Sequence, residues 1–188
     1  MALTTLDLKT ALIVVDLQKG LAGYPFIHPI GEVVDHTRAL LDAFRRLGLP
    51  VVLVNVAGRA PGRTEQGPRA SGAFADGWTD FLPELDQQPN DIVVTKQSWG
   101  AFASTGLEER LKALDVTQVV VTGVATATGV ESTARQAYEA GFNVTLAFDA
   151  MTDARAEAHD YSLKNVFPRL GETGTSQEII DLLTTRSV

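Results

Sequence analysis

Five short segments of this chain are apolar at nearly every position instead of at alternate ones: residues 11–15 (ALIVV), 51–54 (VVLV), 92–94 (IVV), 118–121 (QVVV) and 143–148 (NVTLAF). Each is too short for a stable helix, and a strand that is apolar on both faces must be covered on both faces. Helical patterns lie between them. Residues 32–47 place Val33, Val34, Leu40, Leu41, Phe44 and Leu47 at helical spacing, with Gly48 as a stop. Residues 106–114 read as a short amphipathic helix with Ser104 or Thr105 as its cap, and 130–140 as another stopped by Gly141. Helices are also predicted over 154–165 and 176–183, and a weak strand over 170–173. Strand–helix alternation of this kind predicts a parallel sheet in a three-layer α/β/α sandwich, joined by right-handed crossovers. The chain is short enough to be read as one domain spanning residues 1–188.

The formal net charge of −7 argues against electrostatic binding to nucleic acid or an anionic membrane. No apolar run approaches the length of a membrane span, and the first residues show no secretory pattern, so the expected location is cytoplasmic. The absence of cysteine excludes disulfides, thiolate metal sites and a cysteine nucleophile. Residues 57–90 are rich in Gly, Pro and polar side chains and read as a long surface excursion, either a lid or a plain crossover loop.

In such a sheet, ligands bind beyond the carboxyl ends of the strands. Asp16, Asn55, Lys96, residues 122–129 and Asp149 are the polar groups there. A carboxylate at a buried strand end suffers desolvation unless a cation faces it, and Lys96 is positioned to be that cation for Asp16. The pair is either an acid–base site or a structural ion pair, and Asp16 also reads as a turn or helix cap. Residues 122–137 (TGVATATGVESTARQA) carry a strand into a helix through a Gly- and Thr-rich turn. A helix start presents free N–H groups and the positive end of a dipole, the place for an oxyanion hole. That turn offers neither Cys nor Ser.

Three blocks in this order, VVDLQKG, TKQSWGAF and VVVTGVATATGVESTARQAYEAGFNVTLAFDAMTD, resemble the isochorismatase-like hydrolase superfamily, which includes nicotinamidases, carbamoylsarcosine amidases and isochorismatase. The resemblance implies a Rossmann-like, six-stranded parallel sheet and an Asp–Lys–Cys triad. Its Asp corresponds to Asp16 and its Lys to Lys96, while Gly129 occupies the Cys position. It further implies a cis peptide between Val124 and Ala125, with oxyanion-type amides at Ala125 and Gly129. Without a thiolate the acyl-enzyme route of the amidases is closed. True isochorismatases also lack the Cys, but their first block typically reads like DMQNYF, where this chain has DLQKG. The chain therefore resembles a third, Cys-lacking branch with a GVEST motif.

No metal or cofactor is expected. The Asp-x-His pattern that nicotinamidases carry after the second strand is replaced by Asn55-Val56-Ala57-Gly58, and His28, His36 and His159 are dispersed. Trp99, Phe102, Phe26 and Trp78, with Tyr24, are candidates to wall a substrate pocket or to form subunit contacts. Asp149 reads as a cap for the MTDA turn, and Glu131 with Arg135 as an ordinary i,i+4 or interhelix pair. The resemblance implies a homo-oligomer, dimer or tetramer. The activity predicted is hydrolysis of a small metabolite by Asp16 and Lys96 without a Cys nucleophile, enol-ether cleavage included. The alternatives are a non-catalytic small-molecule-binding protein and an amidohydrolase inactivated by Cys-to-Gly replacement.

Overall fold

A computed structural model describes residues 3–65 and 74–185. Its centre is six parallel strands, β1 (Thr10–Val15), β2 (Val51–Val56), β3 (Ile92–Lys96), β4 (Gln118–Val124), β5 (Asn143–Thr152) and β6 (Glu172–Gly174), in the order β3-β2-β1-β4-β5-β6. The helices are α1 (Lys19–Ala22), α2 (Ile30–Arg46), α3 (Leu107–Lys112), α4 (Glu131–Glu139), α5 (Ala156–Tyr161) and α6 (Ser176–Thr185). The doubly apolar strands explain the layers. Along β1, Ala11, Ile13 and Val15 join one core with Leu107 and Leu111 of α3 and with Ala134 and Ala137 of α4. Leu12 and Val14 join the other with Leu40 and Phe44 of α2 and Ile179 of α6. Period-two alternation thus feeds both faces of the sheet.

The strand order reverses between β1 and β4, and a crevice opens at such a point beyond the carboxyl ends. Several elements differ from expectation there. β4 runs through Thr122 and Gly123 to Val124, and β5 continues past Asp149 to Thr152, with a register shift between Val121 and Gly123. Asp149 therefore lies inside a strand and not at its end. Its carboxylate accepts the Ser176 N–H at 2.7 Å and the Ser176 hydroxyl at 2.8 Å, capping α6 in place of the MTDA turn. The helix expected over 130–140 starts earlier, with a π turn at Thr126–Val130 ahead of α4. That expected over 154–165 is α5 followed by a second π turn, Ser162–Val166. Thr105 accepts the Leu107 N–H at the start of α3.

The excursion over 57–90, of which 66–73 lie outside the described residues, returns as a strap across the end of β1. Phe81 bridges Gln18, the Gly20 N–H donates to the Trp78 carbonyl at 2.9 Å, and the Lys19 N–H to that of Asp80 at 2.8 Å. Among the described residues no helix is long and apolar enough to cross a membrane.

Gly123 allows β4 to lie this close to β1. Its φ is +112°, and a Cβ there would run into the Val15 carbonyl oxygen. Gly123→Ala combines backbone strain with overpacking against main chain. It is expected to lower unfolding free energy by roughly 3 kcal/mol, measured by urea denaturation, and a loss under about 1 kcal/mol would contradict this packing.

Candidate active site

Asp16 is the first residue beyond β1. Its backbone is left-handed (φ 55°), with the N–H donating to the Val54 carbonyl at 2.8 Å and the carbonyl accepting from the Gln18 N–H at 2.9 Å. This conformation turns the chain sharply at the strand end and is one that Asp tolerates better than most residues. Lys96 ends β3, two strands away, and is 1% exposed. Its Nζ donates to Asp16 Oδ2 at 2.7 Å and to the Ser98 carbonyl at 3.1 Å. The other carboxylate oxygen, Asp16 Oδ1, is buried and has no hydrogen-bond partner among the described residues. Burial pushes the Asp16 carboxyl up to about 6, against the pull of the Lys96 charge and its hydrogen bond.

Gly129 faces this pair from the π turn. A Cβ built on it would lie 3.1 Å from Asp16 Oδ2, 3.1 Å from Val15 Cγ1 and 2.9 Å from the Val124 carbonyl oxygen. The Val124–Ala125 peptide is cis, as the resemblance implied. The Ala125 carbonyl accepts both the Thr128 N–H at 3.0 Å and the Val130 N–H at 3.2 Å, the second being the bond that defines the π turn. Asp16, Lys96 and Gly129, carried by three separate strand ends, thus come together.

The predicted aromatic wall divides. Trp99, beyond β3, is 58% exposed. Trp78 lies on the strap over Gly20, where no Cβ fits beneath the indole, and stacks on Phe74 at 4.1 Å between centroids. Phe26 is half-buried and packs against the core beside α2. Phe102 is not a pocket wall: it is buried in the core under α3 and α4, 5.8 Å from the Phe142 ring. Its nearness to Lys96 in sequence misled because the chain has already turned inward at Ala101.

Other contributors were not foreseen. Gln18 is fully buried; it accepts the Val56 N–H at 2.8 Å and donates to the Trp78 carbonyl at 3.2 Å, tying β1 to β2 and the strap. Asp153 Oδ2 accepts the Ala127 N–H at 2.8 Å, a cap for the π turn, and its Oδ1 accepts from Arg155 N–H. Thr126 bonds His159, and Thr133 accepts the Ala101 N–H. A strand-end Gln two residues after Asp16 was the available signal for the first, and the MTDA turn for the second. Glu131 pairs with Arg135 and also accepts the Ser162 hydroxyl, as a helix-to-helix link. His28 contacts Thr152, and His36 contacts Ser176 and Asp149. Among the described residues no three His, Asp or Glu side chains gather as a metal site. An open cavity of about 560 Å3 lies at the opposite end of the sheet, beside Gln118, Asn143 and Gly171. The unpartnered buried carboxylate oxygen, not cavity size, marks the candidate site.

The model of the isochorismatase domain matches residues 10–178. The uncharacterized isochorismatase family protein YwoC of Bacillus subtilis is 37% identical over 92% of this chain and 93% of its own length. Nicotinamidase 3 of Arabidopsis thaliana is 30% identical over 83% of this chain and 79% of its own. The solved structure of an isochorismatase family protein from Burkholderia thailandensis superposes with a TM-score of 0.91 at 38% identity, covering 96% of this chain and 98% of that one. With the parallel sheet ordered as above and the family model spanning all six strands, this chain belongs to the isochorismatase family of hydrolases.

Proposed function

We propose that this protein hydrolyses a small metabolite bearing a carbonyl or carboxylate group, without a covalent intermediate, using Asp16 as the acid–base residue and Lys96 to hold it. One observation carries the reading: Asp16 has one oxygen fixed by Lys96 and the other buried with no partner. A buried acceptor without a donor costs roughly 1–3 kcal/mol, which a water or substrate hydrogen at Oδ1 relieves. A carboxyl titrating at about 6 is poised for both taking and returning a proton near neutral pH. In this scheme Asp16 removes a proton from water as its oxygen attacks the electrophilic carbon, and gives that proton to the leaving atom. Lys96 keeps the carboxylate oriented, and amides at Ala125 and Gly129 receive the developing negative charge.

The thiolate route of the amidases is not available to Gly129. Nor is Gly129 simply an amidase turn lacking its sulfur. A Cβ there meets the Val124 carbonyl oxygen at 2.9 Å, so the main chain must move to admit any side chain. Those three neighbours crowd the Cβ position, so in this scheme water or substrate approaches Asp16 at Oδ1.

Asp16→Asn keeps an acceptor for Lys96, so folding is expected to survive while turnover falls about 100-fold or more. The assay is hydrolysis of enol ethers, isochorismate among them, and of small amides. Near-full activity in that variant would exclude the mechanism. No turnover by the natural protein, combined with clear thermal stabilisation by a metabolite, would replace hydrolase with binding protein.

Toward a carbonyl substrate the base form of Asp16 is the active one, so the rate is expected to fall as pH drops through about 6 and to hold above it; an enol ether, whose carbon must first take a proton from the carboxyl, is expected to show the opposite limb. Lys96→Met removes the cation and is expected to move that limb to higher pH. A profile with no limb near 6, or one unmoved in the variant, counts against Asp16 as the base.

Gly129→Cys is expected to give no amidase activity and a lowered melting temperature. Thiol-dependent amide hydrolysis by that variant would establish the inactivated-amidase reading instead.

A further inference from the structure

The π turn that carries Gly129 is held from behind by a second buried polar group. Thr126, its first residue, is fully buried, and its Oγ1 lies 2.8 Å from Nδ1 of His159 on α5. His159 is itself 5% exposed. The imidazole of His28 meets its ring edge to face at 5.0 Å between centroids, and His28 in turn bonds the Thr152 hydroxyl at the end of β5. Asp153, the next residue, accepts the Ala127 N–H of the same turn. Two side chains thus grip successive residues of one turn, Asp153 through the backbone and His159 through a hydroxyl. The acid–base scheme at Asp16 uses neither.

We propose that His159 is a positioning residue for the active site: its hydrogen bond to Thr126 fixes the π turn and so the placement of Ala125 and Gly129 against Asp16. The proposal rests on reading that turn as the substrate-facing one.

The chemistry of the bond gives it a direction. With Nδ1 unprotonated, the Thr126 hydroxyl donates to it, and the hydroxyl proton is committed. When the imidazole is protonated, Nδ1 donates to Oγ1 and the hydroxyl proton is released towards another acceptor. The charged groups that face His159 are His28 from the loop before α2, Asp153 after β5, and Asp160 on α5 itself. Burial and the neighbouring His28 hold the imidazole below its usual range, opposed by the two carboxylates. The neutral imidazole is therefore the one populated at neutral pH, and with its proton on Nε2 its Nδ1 accepts from Thr126.

The test is made in the Asp16→Asn background, so that titration of that carboxyl does not move the turn. Long-range proton–nitrogen spectra follow the His159 ring from roughly pH 5 to 8 while the backbone amides of residues 125–129 are followed in parallel. The turn amides are expected to shift with the His159 midpoint. Thr126→Val, which keeps the shape and removes the hydroxyl, is expected to abolish that shared titration, and Thr126→Ser to restore it. Should Thr126→Val fail to fold, His159→Gln in the same background reads the same loss. Turn amides that ignore the His159 titration, or that respond equally with Val and Thr at 126, would overturn the proposal. The measurement needs no substrate, so its failure is separate from failure of the hydrolase reading.

Discussion

The buried pair between Asp16 and Lys96 organises this end of the molecule, and it does so at a cost to stability. Transfer of two charges out of water is repaid only when geometry is close and every remaining lone pair is met. Here the geometry is close, at 2.7 Å, yet Asp16 Oδ1 is left without a donor. The raised carboxyl range shows which effect wins: burial outweighs the lysine. By linkage, the folded state binds the Asp16 proton more tightly than the unfolded chain does. The stability this contributes is fully present below the unfolded value of 3.8 and is lost as pH rises through about 6. That loss is about 3 kcal/mol, a sizeable part of the stability of a domain this size. A structural ion pair would more economically be two apolar side chains.

Topology explains how residues eighty positions apart come to share a carboxylate oxygen. β1 lies centrally, between β2 and β4, so its end is overlooked by groups from both halves of the sheet. Lys96 reaches across from β3 with a long, flexible stem. On the other side Gly123 lets β4 approach Val15 closely, and the turn after β4 then brings Gly129 within reach of Asp16. The left-handed turn at Asp16 aligns its carboxylate with both. Gln18 clamps the result by bonding backbone of β2 and of the strap together.

Much of this was legible in the order of apolar runs, because burial of both faces leaves a strand little freedom in its composition. The strands that were read too short, β4 and β5, are those in which polar or flexible residues continue the ladder. Thr122 and Gly123 look like a turn, and Asp149 looks like an end, until their partners across the sheet are known. The contact between Asp16 and Lys96 was legible because a carboxylate at a buried strand end calls for a cation facing it. Phe102 was misjudged by closeness in sequence to Lys96, when the burial of Ala101 had already taken the chain into the core. The contacts of Gln18, Asp153 and His159 were not foreseen, for the opposite reason. Their partners lie 38, 26 and 33 residues away, and no local spacing announces them.

The glycine at 129 sets the character of the site more than the absent thiol does. A turn that admits a side chain at that position must hold the Val124 carbonyl farther off, and this one does not. The same carbonyl belongs to the cis peptide, and the Ala125 carbonyl beyond it accepts two N–H groups, so the path of the main chain there is held by several bonds at once. Loss of a nucleophile alone would leave the surrounding geometry suited to a sulfur atom. Instead the Val124 carbonyl oxygen stands 2.9 Å from where a Cβ would lie, while the carboxylate beside it keeps one oxygen without a partner among the described residues. In the mechanism proposed above, the catalytic burden accordingly falls on a proton-transfer group and on the hydrogen that approaches it, not on covalent attack by residue 129.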